Sequence, residues 1–101
     1  MAKKDRLPPI HPGEILREEF LAPLRMSSHE LALTLRVPAT RMNDIVHEKR
    51  GITADTALRL SRYFGTTSRF WMNMQASWEL EVAEDELGQT VRREVLPRTA
   101  A

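Results

Sequence analysis

The chain has 101 residues, 42% of them hydrophobic, and a net charge of +1, which suits one compact domain with a modest core and makes a second independent domain improbable. It has no cysteine, which excludes a disulfide framework, a thiolate metal site and a cysteine nucleophile. No apolar run approaches the ~20 residues of a spanning helix, and Pro8, Pro9, His11 and Pro12 interrupt the chain just after its charged start, so neither signal peptide nor membrane anchor is expected and the location is read as cytoplasmic.

Residues 1–10 lack periodicity and carry two adjacent prolines, the pattern of a flexible arm. Pro12 suits the first turn of a helix, with Glu14 close behind on the favourable end of the dipole. Ile15, Leu16, Phe20 and Leu24 come next at helical spacing, and Pro23 marks the end of this first helix. Ser27 with Glu30 three residues on is a capping box, so a second helix begins near Ser28 and packs through Leu31, Ala32 and Leu35. Val37 and Pro38 close a tight turn, and Pro38 is placed at the first position of a third helix.

Met42, Ile45 and Val46 form the inner side of that third helix, and Gly51 is expected to supply its left-handed stop. Thr53 caps a fourth helix whose Ala57, Leu58, Leu60 and Phe64 turn inward until Gly65. Thr66, Thr67 or Ser68 caps a fifth, with an apolar stripe running to about Val82. Gly88 and Pro97 leave residues 84–101 open between a tail and a short extra element. The expected fold is all-α: five short helices with brief loops, residues 11–83 forming the domain.

The second and third helices have the layout of a helix-turn-helix, which places one helix in the major groove of DNA. Periodicity alone is equally satisfied by an ordinary bundle. The polar front of the third helix favours the first reading, because Thr, Arg, Asn and His bond base edges and phosphates, whereas a merely solvated face is richer in Glu and Lys. Arg41 can donate twice to guanine, and Asn43 can bond adenine in matching fashion. Ala39 and Thr40 lie beside them. Asp44 can orient Arg41 or accept from cytosine, and a structural role suits it as well.

Ser27, Ser28 and His29 stand at a helix start that attracts phosphate. His47, Lys49 and Arg50 would flank the groove, or simply end a helix on the side its dipole favours. The charge distribution fits: residues 1–50 hold nine Lys/Arg against seven Asp/Glu, and residues 51–101 hold six against seven. Acidic residues crowd at Glu79, Glu81, Glu84, Asp85 and Glu86.

Other chemistry finds no constellation. His11, His29 and His47 lie on different elements without ligand spacing, so no metal and no cofactor is expected. Glu18 with Glu19, and Glu84 with Asp85 and Glu86, are neighbours on solvated faces, not a pair set across a cleft, and no nucleophile sits beside a base, so the chain is not read as an enzyme. The aromatic cluster Tyr63, Phe64, Phe70, Trp71 and Trp78 is core material first. The fifth helix is nevertheless apolar over more than a narrow stripe. Phe70, Trp71, Met74 and Trp78 are therefore candidates for dimerisation, which holds two recognition helices about 34 Å apart on a two-fold site.

His11-Pro12-Gly13-Glu14-Ile15-Leu16, Leu31-Ala32, Val37 to Ile45, Lys49 to Leu60 and Phe70-Trp71-Met72-Asn73-Met74-Gln75 closely resemble HigA-type antitoxins. These are XRE/Cro-like helix-turn-helix proteins that include virulence-associated protein I, and the resemblance covers residues 10 to about 83. It implies a lambda-repressor-like (Cro/C1-type) domain with a C-terminal helical dimerisation extension. It also implies a bacterial homodimer that binds double-stranded operator DNA as a repressor and neutralises a HigB-type toxin, an mRNA endonuclease. Two positions depart from the family pattern. Arg36 stands where a turn glycine is common, which implies a slightly different turn and a further cation for the DNA backbone. Trp78-Glu79-Leu80 stands where a Tyr-Asp-Leu run is usual. A stand-alone regulator, or a protein-interaction module with weak DNA binding, remains the alternative.

Overall fold

The computed structural model describes residues 7–99. Most of the expected arm, residues 1–6, lies outside them; residues 7–10 are non-helical, with Leu7 and Ile10 exposed. Five helices come after them, with no strand among the described residues.

Helix α1 begins at Pro12–Ile15, passes unbroken through a π-helical stretch, Leu16–Leu21, and finishes at Ala22–Leu24. Pro23 accounts for the wide turn: it has no N–H to give to the Glu19 carbonyl, and the chain before it opens so that Ala22 N–H reaches the Arg17 carbonyl five residues back. Leu16 and Leu21 are thereby both buried, although five positions on a regular helix diverge by about 140°. Leu24, expected on the inner face, is exposed, and Arg25 closes the helix with a left-handed φ of 53°.

Helix α2, Ser28–Leu35, starts at the expected capping box and buries Leu31, Ala32 and Leu35. Helix α3, Ala39–Val46, buries Met42, Ile45 and Val46. Pro38 caps α3 from outside, not from its first position. Glu48, not Gly51, takes the left-handed conformation after α3, with φ 63° and a 2.8 Å bond from Lys49 N–H to the Asp44 carbonyl. Gly51 is needed for a different reason: a Cβ there would stand 2.6 Å from Gln75 Nε2.

Helix α4, Ala54–Phe64, is capped by Thr53 and ends at Gly65, φ 76°. It buries Thr56, Ala57 and Leu60. Leu58, expected inward, is 61% exposed.

Helix α5 is Ser68–Glu94, capped by Thr67. It does not stop near Val82. Gly88 weakens a helix by only about 1 kcal/mol relative to alanine, and Pro97 is the first proline after it, so residues 84–94 continue the same rod. At 1.5 Å per residue α5 is about 40 Å long, which accounts for the long axis of a molecule measuring 54 × 32 × 22 Å. The core gathers Leu16, Leu31, Met42, Ile45, Leu60 and Trp71, all fully buried.

Candidate nucleic-acid interface

The α2 start places Ser27, Ser28 and His29 together at one corner. Ser27 Oγ accepts from Glu30 N at 3.0 Å, and Glu30 Oε1 accepts from Ser27 N at 2.8 Å, so the first turn is locked before anything approaches it. The turn to α3 is short because Arg36 adopts the left-handed region, φ 63°, donating to the Leu33 carbonyl while Val37 N–H reaches the Ala32 carbonyl at 3.0 Å. The turn therefore has the geometry that a glycine would supply, not an altered one. Arg36 is fully outside, beside the start of α3.

Along α3, Ala39, Thr40, Asn43 and His47 are exposed, opposite the buried Met42, Ile45 and Val46. His47 Nδ1 donates to the Asn43 carbonyl at 2.8 Å. Lys49 and Arg50 come next on the surface. Asp44 binds Arg50 at 3.1 Å and not Arg41. Arg41 instead donates to Asp55 at the head of α4, at 2.5 Å, and to Thr56 Oγ1 at 3.5 Å. Asp55 also receives Arg59, whose other nitrogen reaches the Leu35 carbonyl at 2.9 Å. The Arg41 and Arg59 hydrogen bonds hold the Asp55 carboxyl below the usual carboxylate range.

The far end of α3 is clamped by α1, and α5 holds the loop that follows it. Gly13 abuts it: a Cβ at Gly13 would fall 1.8 Å from the Ile45 carbonyl oxygen, so α1 reaches this position only with glycine. Arg17 donates to the Val46 carbonyl and to Glu48. His11, buried, accepts from Gly13 N at 2.8 Å through Nδ1 and meets Trp78 edge-on, ring centroids 4.7 Å apart. Burial pushes the His11 pKa down, Glu48 pulls it up, and Arg17 adds to the lowering. Gln75, buried in α5, accepts from Ile52 N at 2.7 Å and donates to Glu79.

Gly13, Arg17, Asp55, Arg59 and Gln75 thus position the interface, and sequence reasoning singles out none of them for that role. A glutamine inside the apolar stripe of the fifth helix is the one available signal, since a buried amide needs partners.

The dimerisation candidates divide. Trp71 is completely buried, its Nε1 bonded to Thr66 Oγ1 at 2.7 Å, and belongs to the core, so it is withdrawn from any contact with a second copy. Phe70, Met74 and Trp78 line an open groove of about 710 Å³ together with Leu7, Ile10 and Ile15.

A capped helix, a left-handed turn and a second helix presenting a polar face define a helix-turn-helix protein. No protein-family model matches the chain. Virulence-associated protein I of Dichelobacter nodosus is 56% identical over 85 residues, 84% of this chain and 79% of that protein. Antitoxin HigA-1 of Vibrio cholerae is 31% identical over 78 residues, 77% of this chain and 73% of that protein. The solved structure of Pseudomonas aeruginosa antitoxin HigA with the higBA promoter superposes with a TM-score of 0.88 at 49% identity, covering 90% of this chain and 99% of that one. The chain belongs to the family of HigA-type antitoxins and virulence-associated protein I.

Proposed function

We propose that the chain is a sequence-specific DNA-binding repressor and the antitoxin of a HigB/HigA-type module, binding its own operator as a homodimer in a bacterial cytoplasm. The observation that carries this reading is the rigidly held α3, with Ala39, Thr40, Asn43 and His47 exposed along one face. The Pseudomonas aeruginosa relative of the same fold, with its promoter DNA, supports it.

Asn43 and Thr40 are assigned to base edges; Ser27, Ser28, His29, Arg36, His47, Lys49 and Arg50 to phosphates. Arg41 is assigned to guanine, and Asp44 to holding Arg50. Reading guanine requires Arg41 to leave Asp55. An exposed ion pair is weak in water, whereas a bidentate guanine contact is worth about 1–3 kcal/mol of discrimination, so the exchange favours DNA. No catalytic group is assigned.

Arg41→Ala is expected to weaken operator binding by about 1–3 kcal/mol and relax preference at one base pair, while Lys49→Ala weakens every sequence alike. Titrations of labelled DNA from upstream of the gene, over a salt series, measure both. Parent-like binding by both variants overturns this use of α3. A net charge of only +1 favours the second reading, an interaction module with weak DNA binding, and a shallow salt slope would select it. The antitoxin role predicts that co-expression relieves growth arrest by a toxin encoded beside this gene.

A further inference from the structure

Asp55, in the first turn of α4, holds two arginines that come from different directions. Arg41 of α3 donates to its Oδ2 at 2.5 Å. Arg59, one turn further along α4, bonds both carboxylate oxygens, Oδ1 at 3.2 Å and Oδ2 at 3.1 Å, and its Nη1 is anchored on the Leu35 carbonyl at 2.9 Å. The two holds differ in kind. Arg59 is fastened at both ends, to its own helix and to the end of α2, whereas Arg41 is held by side chains, Asp55 and, at 3.5 Å, Thr56 Oγ1. Arg41 is therefore the partner able to leave, and Arg59 the one that stays.

We propose that Arg59 is a positioning residue for sequence reading: by keeping the Asp55 carboxylate neutralised it eases the release of Arg41 to guanine, and so sets how strongly the protein discriminates at that base pair. The proposal rests on the assignment of Arg41 to guanine above. Discrimination there equals the worth of the guanine contact less the worth of the Arg41–Asp55 pair, because on a site without the guanine Arg41 stays on Asp55. Whatever strengthens the pair therefore weakens discrimination. A carboxylate shared by two cations holds each less tightly than it would hold one alone, since the two guanidinium groups repel each other and divide the same oxygens. Once Arg41 leaves, Asp55 keeps its two bonds to Arg59 and the favourable field at the head of α4. No bare carboxylate is left beside the DNA.

The surroundings of the cluster fit an exchange of partners. The side chains of Arg41, Asp55 and Arg59 are 27%, 51% and 41% exposed, so water reaches the pair and its worth stays within the range of exposed ion pairs, about two- to fivefold in an equilibrium constant. Arg41 and then Arg59 hold the Asp55 carboxyl below the usual carboxylate range, and a charged acceptor is what competes with guanine for an arginine. Arg59 thereby acts on recognition through Asp55 and Arg41.

Affinities of the full chain for labelled DNA from upstream of the gene, and for the same DNA with single base pairs replaced, provide the test, with circular dichroism to confirm folding. Arg41→Ala identifies the base pair it reads as the one where discrimination disappears. Arg59→Gln, which removes the charge and keeps an amide donor, is expected to lower discrimination at that pair about two- to fivefold, the difference shrinking as salt rises. Arg59→Lys, which keeps the charge, should restore most of it. Asp55→Asn should raise discrimination there, and Arg59→Gln added to Asp55→Asn should change it no further. A merely structural Arg59 would lower affinity on all sequences alike, with or without the Asp55 carboxylate. That result, or discrimination unchanged or raised by Arg59→Gln, overturns the proposal and leaves Arg41 reading its base pair. If Arg59→Gln does not fold, Asp55→Asn alone decides, and discrimination that fails to rise overturns the proposal. An Arg41→Ala chain that loses discrimination at no base pair overturns both the proposal and the assignment beneath it.

Discussion

The two ends of the molecule are held by opposite means. Around α3, directional polar contacts converge behind its exposed face: Arg17 on the Val46 carbonyl, Arg59 on the Leu35 carbonyl, Gln75 on Ile52 N. Among the described residues no buried side-chain nitrogen or oxygen lacks a partner. Along the outer half of α5, by contrast, Leu80 and Leu87 face outward. Contacts to carbonyls at helix ends fix orientation as well as position, which a surface that must match base edges requires. An apolar stripe fixes far less by itself, because apolar contact is not directional.

The sharpest way to break the braced end is Gly13→Ala. The new methyl would lie 1.8 Å from the Ile45 carbonyl oxygen, so α1 must withdraw from α3. The expected loss is about 3 kcal/mol or more of unfolding free energy, as in severe overpacking, with operator affinity falling alongside it. Urea unfolding measures the first, and a change below about 1 kcal/mol would show that α1 does not brace α3.

His11 offers a reversible probe of the same brace. Its Nδ1 accepts from Gly13 N–H, so the ring there is neutral, and burial holds its pKa below the ordinary value of about 6.5. Above that value neither folded nor unfolded chain protonates the ring, and stability is at its full level. As pH falls through about 6.5 the unfolded chain takes up the proton first, so stability declines until the folded pKa is passed. Thermal unfolding should therefore shift to lower temperature between about pH 7 and pH 5. His11→Asn, whose carbonyl can accept the same capping bond, should flatten that slope; an unchanged slope would assign it to other groups.

What was legible in the sequence is what is local. Ser27 with Glu30, the Thr53 cap and the stop at Gly65 each depend on a few neighbouring residues and form where the sequence places them, and of Thr66, Thr67 and Ser68 it is Thr67 that caps α5. What was not legible depends on distant partners. Arg41 and Asp55 lie 14 positions apart, and nothing in the exposed front of α3 says that its arginine turns towards α4. Gly51 looks like a helix stop, yet the left-handed residue is Glu48, and the space a Cβ at residue 51 would need is occupied by Gln75 from a distant helix. Leu24 and Leu58 fit the inner periodicity but face out, the first after Pro23 forces the wide turn in α1. Trp71 could not be told from Phe70 as core or contact surface, since a broad apolar helix does not declare which side its own domain covers.

Arg36 gives the smallest expected effect and separates fold from function at a single position. A non-glycine residue in the left-handed region costs about 1–2 kcal/mol, while glycine costs about 0.5–1 kcal/mol through the freedom it gives the unfolded chain. Arg36→Gly should therefore raise stability by roughly 0.5 kcal/mol, because the turn already has the geometry glycine prefers. If Arg36 meets a phosphate, the same change removes one released counterion. The dependence of log affinity on log salt then becomes shallower by about one, and binding weakens on all sequences alike. Gains in both stability and affinity would mean that Arg36 only burdens the turn. A gain in stability with a loss of affinity would explain why a strained arginine occupies a glycine's place: the turn gives up a fraction of a kcal/mol so that a cation stands beside the first residues of α3.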